Sequence, residues 1–274
     1  MLDHPKIDIF IHMDAKNRSY NPAETLKLTK YSRIFHAPRI KVSWGGYSQI
    51  NAELILLEAA TSQGHYEHYH LLSGADLPIQ KREDIIKFFE EHHGIEFVHS
   101  STVPIKDTDE VFMRMKYYHL LQDLHGRPAR KNIIMRILRK TERTLLHLQK
   151  LIHISRNKGI NFYWGSNWFS ITDELARYVL TKREWIHRTF HNTLCCDEFF
   201  LQTIAMESKF QCNLFRINGN QPGNVRLIDW KRGEPYTFRL SDIEELKASK
   251  AMFARKFSPS ADREVIEKIR ELYS

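Results

Sequence analysis

The sequence is short of the residues that mark several large classes of protein. It has three cysteines in 274 residues, Cys195, Cys196 and Cys212. Two neighbours and a third further on match no zinc spacing, and an odd count argues for reduced thiols rather than a disulfide framework. They read as small buried side chains. No apolar run approaches the ~20 residues of a membrane-spanning helix. The opening, MLDHPKIDIF, lacks the basic stretch, apolar stretch and cleavage site of a secretory signal. Both absences point to a cytoplasmic protein. There is no Gly-rich phosphate loop of the Walker or dinucleotide type, no HExxH and no paired-cysteine motif. No repeat, low-complexity stretch or linker divides the chain, so residues 1–274 read as one domain.

What is present is ordinary in bulk and uneven in detail. Hydrophobic residues make up 42% and charged residues 27%, which fits a folded chain with a sizeable core. Aromatics reach 12%, enough for a cleft that faces sugar rings, although filling the core is the commoner use. The net charge of +8 is concentrated: residues 127–158 carry ten basic side chains and one acid, Glu142. The rest of the chain is near neutral. A local basic patch of this kind argues against a nucleic-acid binder, whose charge spreads over a surface and comes with a recognised motif.

The periodicities predict an α/β domain. Ile7, Ile9, Phe10 and Ile11 form a buried strand that runs into His12-Met13-Asp14, placing a carboxylate at a sheet edge. Further strands are expected at residues 32–35, 69–72, 95–99, 164–171, 214–217 and 225–230. Helices are expected at 47–61, 81–92, 132–152, 173–180, 197–207 and 262–272. The 132–152 segment is the longest, with Ile134, Ile137, Leu138, Leu145, Leu148 and Ile152 on one stripe. Together with its flanks it defines a basic amphipathic segment over 127–158. The alternation of strands and helices predicts a mainly parallel sheet flanked by helices.

Three short motifs carry chemistry, each ambiguous alone. Asp107-Thr108-Asp109 has the form of a carboxylate pair that holds a divalent ion, but it follows Pro104 in a polar loop and reads as surface acids. The loop Ser73-Gly74-Ala75-Asp76 offers one carboxylate where a metal motif would need two, which points away from a bound metal. Asp197-Glu198 opens a helix, where acids are ordinary capping residues. Phe253-Ala254-Arg255-Lys256-Phe257 is either an anion clamp or a plain amphipathic surface.

Seven segments in order decide more than any one of them: IDIFIHMD, KVSWGGYS, YHLLSGADLPI, WGSNWFSIT, DEFFLQTIA, VRLIDW and FARKF. The series resembles the core-2/I-branching β-1,6-N-acetylglucosaminyltransferase family, which also holds peptide O-xylosyltransferases and bacterial members, over about residues 8–257. That resemblance implies a GT-A-like α/β fold, a UDP-sugar donor, inversion at the anomeric carbon and no metal or other cofactor. It implies Glu198 as the catalytic base, and Arg226, Arg255 and Lys256 as the cations that hold the diphosphate. Asp14 would contact the nucleoside. Asp76, Trp164, Gly165, Ser166 and Asp197 would line the donor and acceptor cleft.

The chemistry is consistent with those roles. An inverting transfer needs one base to take the acceptor proton as the oxygen attacks the anomeric carbon. A carboxylate suffices, because the proton moves as an oxocarbenium-like transition state forms. Preorganised cations can stabilise the departing UDP as a metal would. Arginine suits bidentate contact with phosphate, and lysine acts as a point charge.

The expected activity is therefore transfer of a sugar, N-acetylglucosamine foremost and xylose or another sugar as alternatives, to a glycan in bacterial surface-polysaccharide synthesis. The acceptor is expected on a growing polysaccharide or a lipid-linked glycan. The alternative is a non-catalytic carbohydrate-binding or scaffold relative. Such families carry another strand before the first one here, and with Met1 six residues before Ile7 that strand is expected to be missing. The basic face of 132–152 is either solvated or rests on the anionic inner face of a membrane, with the apolar stripe in both cases against the core.

Overall fold

Ile50, Leu54 and Leu57 recur at helical spacing, and all three are buried, so the helix they belong to lies across the middle of the molecule. The computed structural model describes residues 1–126, 133–217 and 221–273. The first third comprises β1 (Ile9–Ile11), α1 (Pro22–Thr25), β2 (Ile34–His36), α2 (Ser48–Gln63), β3 (His68–His70), β4 (Asp76–Pro78), α3 (Arg82–Glu91) and β5 (Phe97–Val98). The middle adds α4 (Met113–Lys116), α5 (Gln122–His125), α6 (Ile133–Leu151), β6 (Phe169–Thr172), α7 (Asp173–Thr181), α8 (Arg183–Phe190) and α9 (Phe200–Met206). The remainder holds β7 (Arg216–Ile217), β8 (Gln221–Pro222), β9 (Arg226–Ile228), α10 (Ile243–Ala248), β10 (Phe253–Arg255) and α11 (Glu264–Tyr273).

The fold is α/β, as the alternation predicts, but its strands are not mainly parallel. β1 pairs parallel with β2, and β9 parallel with β10. β10 is antiparallel to β4, β6 is antiparallel to both β3 and β5, and β7 to β8. Reading alternation as a parallel sheet assumes that each helix crosses between neighbours of one sheet. Here α3 leaves β4 and enters β5, which lie in different three-stranded sheets, β4-β10-β9 and β3-β6-β5. Asp76, read from sequence as a loop residue, sits on β4.

The main core lies between α2, α7, α8 and α9 on one side and β3 and β6 on the other. Helix α9 is buried on every side, from Phe200 to Met206. Thr172 ends β6 and caps α7, its hydroxyl accepting from the Leu175 amide at 3.2 Å. A second cluster joins Ile79, Phe238 and Phe257 to the C-terminal helix through Val265 and Ile269. A third links α3 to Phe97 and Phe253. Nine of the largest fully buried side chains are phenylalanines, so much of the aromatic content fills the core. Of the three thiols, Cys195 and Cys196 are buried as expected, but Cys212 is exposed.

Helix α6 forms where expected, but its expected apolar stripe is split: Leu138 and Leu145 are half-buried, and the other four residues are exposed. Of the expected segment, residues 127–132 lie outside the described residues. Ile134, Ile137, Leu148 and Ile152 are between 48% and 67% exposed, while Glu142 and Gln149 are buried. The surface beneath the helix accounts for the polar residues that face it. Residues 118–121 present backbone groups that need partners, not apolar side chains. Glu142 Oε2 accepts from the Leu121 amide at 2.9 Å, and Gln149 accepts from the Tyr118 amide at 2.8 Å while donating to its carbonyl at 2.9 Å. Pairing those groups offsets the ~1–3 kcal/mol that each would cost if buried without a partner.

Candidate functional site

The candidate site is assembled from loops and strand ends that are far apart in the sequence. One loop follows β1. Asp14 accepts from the Lys16 amide at 2.9 Å and the Val42 amide at 3.4 Å, and its other oxygen lies 3.3 Å from the Lys16 ammonium. Burial pushes its carboxyl up, but these amides and Lys16 outweigh it and leave Asp14 below the ordinary carboxylate range. Beside it opens a cavity of about 510 Å³ lined by Lys16, Lys41, Trp44, Asp123 and Leu124.

From Val42 the chain turns at Ser43–Gly46 and passes directly to the acidic pair. Gly46 approaches α5 so closely that a Cβ there would sit 2.1 Å from Asp123 Oδ1, which explains a glycine in the turn. The Gly45 carbonyl accepts from the Cys195 amide at 2.8 Å. In the first turn of α2, Gln49 donates to Asp197 Oδ2 at 2.9 Å. The acidic pair lies in a short 3-10 turn before α9, and the N-cap of α9 makes no side-chain cap hydrogen bond. The capping alternative therefore fails for both acids.

Glu198 is held by groups from two other segments. Its Oε2 accepts from Arg114 Nη1 at 2.9 Å and from Trp164 Nε1 at 3.0 Å, and its carbonyl accepts from the Gly165 amide at 3.0 Å. Glu198 and Arg114 are both about one-third exposed, so solvent and solutes reach them. Asp197 is buried. Burial, then the neighbouring Glu198 charge, pushes its carboxyl up to about 7. Glu53 on α2, also buried, is driven upward by burial and by Asp197. Burial thus pushes Asp197 and Glu53 toward their protonated forms, and Glu198 is the solvent-accessible acid of the group.

Residues 164–170 connect Glu198 to the basic end of the site. A Cβ on Gly165 would meet the His99 carbonyl oxygen at 1.9 Å, so only glycine lets this segment lie against the extension of β5. The Ser166 amide donates to His99 Nδ1 at 3.1 Å, which fixes the tautomer of a histidine that burial keeps neutral-leaning. Four residues beyond Trp164, Trp168 lies under the Arg255 guanidinium at 4.0 Å. Arg255 is also 3.2 Å from Asp76 Oδ1, a carboxylate 4% exposed. Strand pairing sets Arg255 opposite Asp76 and Phe253 opposite Arg226, so Arg226 and Arg255 share one sheet face.

Arg226 differs from Arg255 in how its donors are used. It donates to Ser170 Oγ at 3.0 Å and to the Phe169 carbonyl at 2.6 Å, and it stacks on Phe253. Burial pulls it down to about 9. Its Nε–H is buried without a protein acceptor. Arg226 is thus a buried cation behind Arg255, while the half-buried Lys256 follows Arg255 at the end of β10.

The structure therefore brings Trp164 and Gly165 into direct contact with Glu198, with Asp197 and Ser166 next to them in the chain. It joins Asp76, Arg226 and Arg255 on one sheet, with Lys256 next in chain, and ties Asp14 to the acidic pair through the 42–45 turn. The Asp107-Thr108-Asp109 pair is exposed, as expected of surface acids. Arg114, Trp168 and Gln49 were not singled out from sequence. Only Trp168 and Gln49 adjoin a recognisable motif, and Arg114 lies in a segment, Phe112-Met113-Arg114-Met115, with none. Among the described residues no group of three or more His, Cys, Asp or Glu is arranged to hold a metal. Nor is any described helix long and apolar enough to cross a membrane.

Comparison with known proteins places this geometry in context. A family model described as Core-2/I-Branching enzyme matches residues 1–250. A xylosyltransferase of Ciona intestinalis is 25% identical over 276 residues, which covers 94% of this chain and 30% of the relative. Xylosyltransferase 1 of Homo sapiens is 24% identical over 286 residues, covering 94% of this chain and 26% of the relative. The chain spans less than a third of the length of these relatives.

Proposed function

The chain belongs to the Core-2/I-branching enzyme family of glycosyltransferases, with its GT-A-like α/β fold, and on that premise we propose that it transfers a sugar from a UDP-sugar to a hydroxyl of a glycan, with inversion and without a metal ion. The names of the relatives set UDP-xylose beside UDP-N-acetylglucosamine as donor. The acceptor is a hydroxyl of a surface polysaccharide or lipid-linked glycan.

One observation carries this reading: an accessible carboxylate, Glu198, is fixed by Arg114 and Trp164 on the same segment whose Trp168 supports Arg255. In the proposed reaction Glu198 takes the acceptor proton as the acceptor oxygen bonds to the anomeric carbon and the bond to UDP breaks. Arg255 and Lys256 meet the diphosphate, and Asp76 and Trp168 hold Arg255 for that contact. Arg226 adds positive potential from behind, where low dielectric strengthens it. Asp14 contacts the nucleoside.

The test is a panel of UDP-sugars, each followed by thermal shift and by UDP release with and without EDTA. UDP release with one donor, lost in Glu198→Gln, supports transfer. Donor or glycan binding with no release under any condition favours the non-catalytic alternative. Release that requires manganese overturns the metal-free mechanism.

A further inference from the structure

Helix α6 displays three sectors, and the sequence assigns each a different chemistry. With 3.6 residues per turn, Glu142 and Gln149 fall together and face the protein. Ile133, Ile137, Leu148 and Leu151 fall together on the exposed side, each at least 48% exposed. Arg136, Lys140, Arg143 and Lys150 occupy the sector between, and all four are exposed. The only acid in the helix, Glu142, is buried against the Leu121 amide and adds no exposed negative charge. On the neighbouring segment, Leu120 and Leu124 are also 49% and 63% exposed.

We propose that α6 is an interfacial helix, docking the enzyme on an anionic lipid surface with its exposed aliphatic sector inserted at the headgroup boundary and its basic sector on the lipid phosphates. Charge complementarity selects this occupant. A protein partner for an aliphatic stripe would need to supply matching acids along a whole helix edge, whereas an anionic bilayer supplies both an apolar interior and a negative rim. A helix with a large apolar face beside a Lys/Arg-rich face lies in the membrane plane. Its 19 residues span ~28 Å at 1.5 Å per residue, long enough to lie along the surface. The attachment to the body through Glu142 and Gln149 leaves the aliphatic sector outward, so insertion needs no unfolding of the helix.

The proposal is independent of the reaction assigned to the site.

The experiment is co-sedimentation of the full chain with phosphatidylcholine vesicles, with and without phosphatidylserine, at low and high salt. We expect binding to the anionic vesicles only, reversed by salt. Each cation contributes about fivefold, so Lys140→Ala with Arg143→Ala should weaken binding about 25-fold. Ile137→Glu with Leu148→Glu, at exposed positions, should abolish binding with an unchanged circular dichroism spectrum. No binding to either vesicle, or equal binding to both, overturns the proposal. So does normal vesicle binding by the Ile137→Glu/Leu148→Glu variant, which would leave charge alone at work. A concentration-dependent dimer that this variant dissolves would assign the face to a second copy instead and equally overturn it.

Discussion

Replacing Glu96 by glutamine should stabilise the protein at alkaline pH and do so progressively as pH rises. Glu96 is fully buried beneath β6, where the Thr172 amide donates to Oε2 at 2.9 Å and the Thr172 hydroxyl to Oε1 at 2.5 Å. Burial is the largest influence and pushes the carboxyl up, the two Thr172 bonds oppose it, and the net position is about 7 against an ordinary 4.5. Between those values the folded chain keeps a proton that the unfolded chain has lost. Native stability therefore falls as pH rises through this window, and the penalty is complete above about 7. At 1.36 kcal/mol per unit, the loss between pH 5 and pH 8 comes to about 2.5 kcal/mol. Glutamine has no proton to lose and can keep both Thr172 contacts, one as acceptor and one as donor. Denaturant melts at pH 5 and pH 8 should thus show the variant gaining about 2.5 kcal/mol more at the higher pH, or roughly 5–10 °C in melting temperature. An identical difference between wild type and variant at both pH values would refute the reasoning, whatever its size, because only the pH dependence reports the buried proton.

The remaining predictions bear on the site. Glu198→Gln should lower turnover at least ~10²-fold with little change in UDP affinity, read from steady-state kinetics and calorimetry, and near-normal turnover would remove Glu198 from the chemistry. Arg255→Ala combined with Lys256→Ala should weaken UDP binding at least ~10-fold, since charge-assisted contacts are worth about 1.5–3 kcal/mol each, while unchanged UDP affinity would show that they do not meet the diphosphate. Gly165→Ala should destabilise the fold by about 1–3 kcal/mol, because its Cβ would collide with the His99 carbonyl at 1.9 Å, and a neutral substitution would mean that the segment lies further from β5.

Much of the site was legible because its residues sit in short contiguous motifs at strand ends. Asp14 follows β1, Gly165 precedes β6, and Arg255 ends β10, each with neighbours whose types are constrained by the same turn or pairing. From the residues alone Glu198 was legible only as one of two acids, and the family resemblance singled it out; its accessibility beside a buried Asp197 is a tertiary fact. Arg114 was not legible at all. Nothing local requires a cation in the 112–116 segment, and its reason for being there lies 84 positions away. The antiparallel pairing of β4 with β10 escaped notice for a similar cause. Strands of three residues carry too little alternation to register, and their partners are far apart in sequence.

Helix α6 shows where periodicity stops being informative. A period of 3.6 establishes that apolar residues share a face, but it does not say which face meets the protein. That depends on what the partner surface offers. Residues 118–121 offer amides and a carbonyl, so Glu142 and Gln149 turn inward beside Leu138 and Leu145, while Ile134, Ile137, Leu148 and Ile152 turn out. The same reasoning gives the one sequence signal that could have revealed the buried polar pair. A lone acid in a run of ten basic residues, seven positions before a glutamine, is an odd choice for a solvated face but a natural pair of anchors one face down the helix. Polar residues that break the charge pattern of an amphipathic helix at heptad spacing are thus candidates for the buried side, and the aliphatic stripe they displace becomes a candidate interface.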